Sequence, residues 1–223
     1  MLLALDTSTH SVGVALYDGT HVLSESVWIS PDYHTVELAP KVAEVLSKSG
    51  MTVVELGAVA VAIGPGSFTG LRIGLALAKG LALAHHLSLI GIPTLDILAA
   101  AQPLLDTHLV VVLRAGRGRL AAGWYQKRRN MWQATGNIEL VSAEQLSDRI
   151  QNPTLVCGEL NEEERRLLGR KRKNVIIASP AQSLRRPAYL AELGWKRWQS
   201  GEVDSPATLS PFYLHTGESI PGG

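Results

Sequence analysis

The stretch Ile63-Gly64-Pro65-Gly66-Ser67-Phe68-Thr69-Gly70-Leu71-Arg72-Ile73-Gly74 decides how this chain is read. It continues Ala58 to Ile63, an apolar, valine-bearing run of the kind expected for a strand buried on both faces, and it opens a helix predicted from about Phe68 to His86. Glycines at a strand end let the backbone take φ > 0 and let another chain or a ligand come close. The amides of the following helix start form a positive dipole end. Two readings follow, an anion site or a tight packing corner.

On the N-terminal side, Leu2 to Leu5, Val12 to Tyr17 and Val22 to Trp28 predict three short strands, separated by Thr7 to Ser11 and by Asp18-Gly19, as an antiparallel meander. Between Thr35 and Ser49, Leu38, Ala39, Val42, Ala43 and Leu46 recur at helical spacing, with Pro40 in the early turns and Gly50 as the stop. Thr52 and Glu55 form a capping-box pair for a short helix. On the C-terminal side Thr94 reads as the cap of a helix through Ala101, after which Leu109 to Leu113 and Leu120 to Tyr125 begin the pattern again. Leu2 to Tyr17 overlays Val110 to Tyr125 without a gap and sets Asp6 against Arg114, so the chain reads as a duplicated lobe. Strands Thr154 to Cys157 and Asn174 to Ala178, and helices Asn161 to Leu168 and Gln182 to Gln199, follow. The tail after Gly201 is rich in Ser, Pro and Gly and is expected to lie extended.

With 223 residues, 46% hydrophobic and 18% charged, the chain can bury a sizeable core in one domain or two small lobes. A net charge of +1 gives no global pull toward nucleic acid, so any RNA contact must come from local clusters. Lys127, Arg128 and Arg129 form one such cluster, and Arg170, Lys171, Arg172 and Lys173 another, close in sequence to Glu162 to Glu164. Cys157 is the sole cysteine, which excludes an internal disulfide and a cysteine-rich zinc site and fits a reducing compartment, the cytoplasm. Met1 to Leu5 lacks a basic flank, and no segment approaches the ~20 apolar residues of a membrane span, so neither targeting nor a membrane is expected.

His85 and His86 are adjacent, while His10, His21, His34, His108 and His215 are scattered, so no pair has the one-turn spacing of a metal site. Pro65 and Thr69 stand where the flanking glycines of a Gly-x-Ser-x-Gly nucleophile elbow would be, which argues against Ser67 as a nucleophile. Leu71, Leu75, Ala78 and Ala82, with Gly74, form a small-residue stripe that fits either a core face or a partner surface.

The glycine-rich stretch, together with Asp6, Thr7, Ser8 and Thr9 after the first strand, resembles the TsaB (YeaZ) family of the bacterial tRNA threonylcarbamoyladenosine machinery. The resemblance runs in register from Met1 to about Ala101, and Pro211, Tyr213 and Leu214 are similar to the family's closing motif. It implies an α/β, two-lobed actin-like (ASKHA) fold with a reduced second lobe: residues 1–101, 102–200, and an extended tail over 201–223. It also implies a non-catalytic subunit that binds and activates a TsaD-like transferase forming N6-threonylcarbamoyladenosine at position 37 of tRNA. A TsaE-like ATPase would be a third member, and tRNA would be met indirectly through the complex.

By the same resemblance Val42, Leu46, Leu71, Gly74, Leu75, Ala78 and Ala82 form the partner interface, shared with a homodimer through the same helices. Asp6, Thr7, Ser8, Gly64, Gly66, Ser67, Thr69, Gly70 and Arg72 are the implied phosphate or nucleotide contacts; no cofactor is intrinsic, and nucleotide would sit at the complex junction. In the catalytic relative a histidine pair binds a metal, and alignment on Gly91 puts Thr94 and Leu98 at those positions, which implies no metal site. Arg114 stands where the family commonly has an aspartate. Within the superfamily the alternatives are an ATP-dependent small-molecule phosphotransferase, disfavoured by the missing second acid, and a metallopeptidase, disfavoured by the missing histidine pair.

Overall fold

The computed structural model describes residues 1–30, 34–171 and 173–214; Arg172, His215 and the rest of the tail lie outside the described residues. The first sheet contains β1 (Leu2–Asp6), β2 (Ser11–Tyr17), β3 (Val22–Ile29), β4 (Ala58–Gly64) and β5 (Ser88–Pro93), in the order β3-β2-β1-β4-β5. The first three form the expected antiparallel meander, and β4 runs parallel to β1 and to β5. Helices α1 (His34–Lys48) and α2 (Phe68–His85) flank β4 in sequence, and the Thr52–Glu55 capping box closes a 3-10 turn at Val53–Glu55.

Side chains alternate across a sheet, and here the two faces differ in size. Leu3, Leu5, Val14, Leu16, Val59 and Val61 share a core with Leu38, Val42 and Leu46 of α1 and Leu75, Ala78 and Ala82 of α2. Ala4, Ala15, Ala58, Ala60 and Ala62 line the opposite face, and helix α6 (Pro187–Gln199) lies on it through Leu190, Ala191, Trp195 and Trp198. The alanines let the helix axis come close: a Cβ on Gly194 would collide with Ala60. The sequence grouped this helix with residues 102–200; it belongs instead to the first sheet, because that shallow alanine face is the surface its apolar stripe fits. It also begins at Pro187, not Gln182, proline being suited to the first helical turn.

The second sheet is built from β6 (His108–Arg114), β7 (Leu120–Arg128), β8 (Met131–Ala134), β9 (Glu139–Val141), β10 (Thr154–Gly158) and β11 (Val175–Ile177). Its order is β11-β10-β6-β7-β8, with β9 pairing β7. Helices α3 (Thr94–Ala100), α4 (Ala143–Arg149) and α5 (Glu162–Gly169) complete this half, with α3 contacting strands of both sheets. The β6–β7 hairpin echoes β1–β2, but one residue out of step with the ungapped overlay: Leu2 faces Tyr17, whereas Val110 faces Trp124. Thr94 is not a cap. Pro93 holds that position, and the Thr94 hydroxyl accepts the Gly64 amide at 3.1 Å.

The tail returns along the first sheet. The Asp204 amide donates to the Leu89 carbonyl at 2.8 Å, Leu209 packs against the first core, and the Phe212 amide donates to the Ile63 carbonyl at 2.7 Å. Among the described residues no helix is long and apolar enough to cross a membrane.

Candidate functional site: an arginine-filled cleft

Asp6 ends β1 and is buried. One carboxylate oxygen accepts from the Ser8 amide at 2.9 Å and the Ser8 hydroxyl at 2.5 Å, the geometry of an Asx turn. The other accepts from Nε of Arg185. The same guanidinium donates through Nη2 to the Thr9 hydroxyl (2.8 Å) and the Ser11 carbonyl (3.0 Å), and through Nη1 to Glu159 (3.3 Å). Thr9 closes the ring by donating to Glu159 at 2.8 Å.

Glu159 follows β10 and Arg185 precedes α6, so this buried cation ties the second sheet to the first hairpin and to the segment that crosses between the sheets. Burial on its own would lower the guanidinium pKa, but the Asp6 and Glu159 carboxylates outweigh it and raise the pKa, so the arginine stays charged. A carboxylate that positions a metal-bound phosphate needs an open coordination side. Both oxygens of Asp6 are instead held by protein donors.

The glycine-rich turn forms a packing corner against the 7–8 turn. The Thr7 hydroxyl donates to the Gly70 carbonyl at 2.7 Å, and the Ser67 amide donates to the Ser8 carbonyl at 2.6 Å. A Cβ on Gly66 would strike the Ser8 carbonyl, one on Gly70 the Thr7 carbonyl, and one on Gly74 the Thr7 hydroxyl. Gly64, at φ +115°, admits the Phe212 carbonyl. The Ser67 hydroxyl caps α2 by accepting the Gly70 amide at 3.2 Å.

Of the nine phosphate candidates, Asp6, Thr7, Ser8, Gly64, Gly66, Ser67 and Gly70 thus meet at one corner. There they bond or abut other protein atoms. Thr69 and Arg72 lie on the surface of the first turns of α2, where Arg72 stacks over Phe68 at 3.7 Å and donates to the Tyr213 hydroxyl at 3.0 Å.

The expected interface residues are corrected by the structure. Val42, Leu46, Leu71, Leu75, Ala78 and Ala82 are all buried at 5% exposure or less, and Gly74 is buried against Thr7, because this stripe faces the sheet. The outward stripe of α2 carries Ala76, Gly80, Leu83 and Ala84, flanked by Ile73 and Leu77, which are half-buried against the first core, and that of α1 carries Val36, Ala39, Pro40 and Ala43. Leu83 and Val36 are 66% and 65% exposed.

Among the described residues no group of three or more His, Cys, Asp or Glu is placed to hold a metal, and Thr94 and Leu98 are fully buried. Burial pushes the Cys157 thiol up to about 12. Burial also raises Asp96, which accepts the Tyr125 hydroxyl at 2.7 Å. Sequence reasoning did not find Arg185 or Glu159. Nothing within a few residues of either marks them, since besides each other their partners in the first hairpin lie 150 or more positions away.

Residues 28–157 match the family model of TsaD, tRNA N6-adenosine threonylcarbamoyltransferase. Bacillus subtilis (strain 168) tRNA threonylcarbamoyladenosine biosynthesis protein TsaB is 30% identical over 225 residues, covering 98% of this chain and 95% of the relative. The chain belongs to the TsaB (YeaZ) family. The solved structure of YeaZ from Pseudomonas aeruginosa agrees, with a TM-score of 0.78 at 25% identity over 96% of this chain and 99% of that one. The ROK hexokinase of Thermus thermophilus, at TM-score 0.51 and 10% identity, covers 90% of this chain and 99% of its own, and shares the fold alone: the two-lobed, actin-like architecture. In this TsaB-family chain Asp6 and Arg185 fall on either side of the span that matches the transferase family.

Proposed function

We propose that this chain is the non-catalytic subunit that binds and activates a TsaD-like transferase, which forms N6-threonylcarbamoyladenosine at position 37 of tRNA. The observation that carries this is the Arg185 guanidinium on Asp6: the carboxylate best placed to organise phosphate chemistry is neutralised from within. A chain so closed acts through its surface. The surface is the outward stripes of α1 and α2, whose small residues permit a second helix pair to approach closely. A second copy of this chain would compete for the same stripes. Nucleotide and a TsaE-like ATPase belong at the junction with the transferase, in the cytoplasm where tRNA is modified.

The test is modification of unmodified tRNA by this chain alone, by the transferase alone and by both, with TsaE and the threonylcarbamoyl donor supplied throughout. Product only from the pair is expected. Product from this chain alone would overturn the reading.

A further inference from the structure

The two basic clusters, more than 40 residues apart in sequence, meet at one edge of the second sheet. In the parallel strands β6, β10 and β11, His108, Thr154 and Val175 lie side by side, and β7 runs antiparallel to β6, bringing the β7–β8 hairpin to the same edge. Arg170, Lys171 and Lys173 therefore stand at one end of a row of four strands, and Lys127, Arg128 and Arg129 at the other. At about 4.8 Å per strand the row spans ~14 Å.

The acidic run Glu162 to Glu164, near in sequence, starts α5, while Arg170 caps its far end. An eight-residue helix carries them ~12 Å apart. Of the six cations, Lys127 pairs with Asp106 at 2.7 Å, and Lys171 lies 3.9 Å from Asp148 while donating to the Ser147 carbonyl. Arg128, Arg129, Arg170 and Lys173 are exposed and make no ion pair among the described residues. Between the clusters a groove of about 640 Å³ is lined by Thr107, His108, Gln126, Arg129, Asn130 and Asn152 among others. The Thr107 hydroxyl there is shielded from solvent and has no hydrogen-bond partner among the described residues. Spaced cations flanking a row of hydroxyl and amide groups match a phosphate–sugar backbone, whose contacts come from these residue types.

We propose that this edge grips the backbone of the tRNA directly, so that the chain supplies part of the RNA-binding surface of the complex; this rests on the proposed function. The test uses the full chain carrying Arg128→Glu, Arg129→Glu, Arg170→Glu and Lys173→Glu together, assembled with the TsaD-like transferase, and a milder Arg128→Gln/Lys173→Gln variant as a folding safeguard. The four-site variant still co-elutes with the transferase, the KM for tRNA rises at least about 10-fold with kcat within about twofold, and the log–log salt slope of tRNA binding flattens by about 3, as loss of four phosphate contacts requires. The milder variant gives about half that change in slope.

Unchanged tRNA affinity and slope in the assembled complex overturn the proposal. So does loss of transferase association with tRNA affinity intact, which would make the edge a protein contact. If the wild-type chain does not associate with the transferase, the proposed function fails. The edge is then judged by salt titration of tRNA against the isolated chain, where wild-type binding that the variant lacks upholds it and equal affinity overturns it.

Discussion

Arg185 and Asp6 lie 179 positions apart in sequence, yet they form an ion pair whose side chains are only 2% and 1% exposed. Removing one partner of a buried pair leaves the other charge without water or counter-ion, at a cost of about 3–5 kcal/mol. Arg185→Met is therefore expected to lower stability by that order in urea unfolding. Asp6→Asn combined with Arg185→Met keeps an acceptor for Ser8 and removes the orphaned charge, so it should recover much of the loss. A double variant no more stable than Arg185→Met would show that the pair is not what holds this corner.

The two stripes of α2 make opposite predictions. Ala76→Glu, on the exposed stripe, should abolish association with the transferase in size-exclusion chromatography while leaving the thermal midpoint unchanged. Ala78→Glu or Leu75→Arg forces an unpaired charge into the core and should unfold the chain. Association retained by a folded Ala76→Glu variant would move the interface elsewhere.

Glycines in α2 differ in what surrounds them. Nothing lies within 4 Å of a Cβ added at Gly80, so Gly80→Ala should stabilise the monomer by about 0.5–1 kcal/mol, as expected for a solvent-facing helical glycine. Gly70→Ala drives a methyl into the Thr7 carbonyl and should cost about 1–3 kcal/mol. Chemical denaturation of the two variants side by side checks the contrast.

Asp96 gives a pH dependence. Burial raises its pKa, and the hydrogen bond from Tyr125 opposes that only in part. Between the unfolded aspartate value, about 3.9, and the raised value, the folded state binds the extra proton, so this group's contribution to stability falls as pH rises through that window. Asp96→Asn should remove the fall. Thermal midpoints of the wild type and variant from about pH 4 upward should converge at the acid end and separate above it, the variant lying higher; parallel curves would refute the assignment.

Much of the fold was legible because its signals are local. The continuous apolar run of Ala58 to Ile63, the capping box at Thr52 and Glu55, and the glycine-rich entry to α2 each depend on a few neighbouring residues. The choice of stripe on α2 was not legible. Ile73, Ala76, Leu77 and Gly80 are as small and apolar as Leu71, Gly74, Leu75 and Ala78, so periodicity cannot say which faces the sheet. Strands β8 and β9 were missed because they are short and half polar. The home of α6 was written in the alternation of alanine with valine in β4, but only the sheet order shows that β1 and β2 continue the alanine face. Arg185 had no local signature, because its meaning comes from closing the chain on itself.

During synthesis the first sheet leaves the ribosome ahead of α6, and its alanine-lined face stays bare until Pro187–Gln199 emerges. The second sheet, encoded between the two, can assemble while the first still waits for its cover. Commitment to the native state therefore waits until α6 lands and Phe212 reaches Ile63. A product cut short before Pro187 would carry every strand of both sheets, yet present an uncovered apolar face to chaperones and proteases.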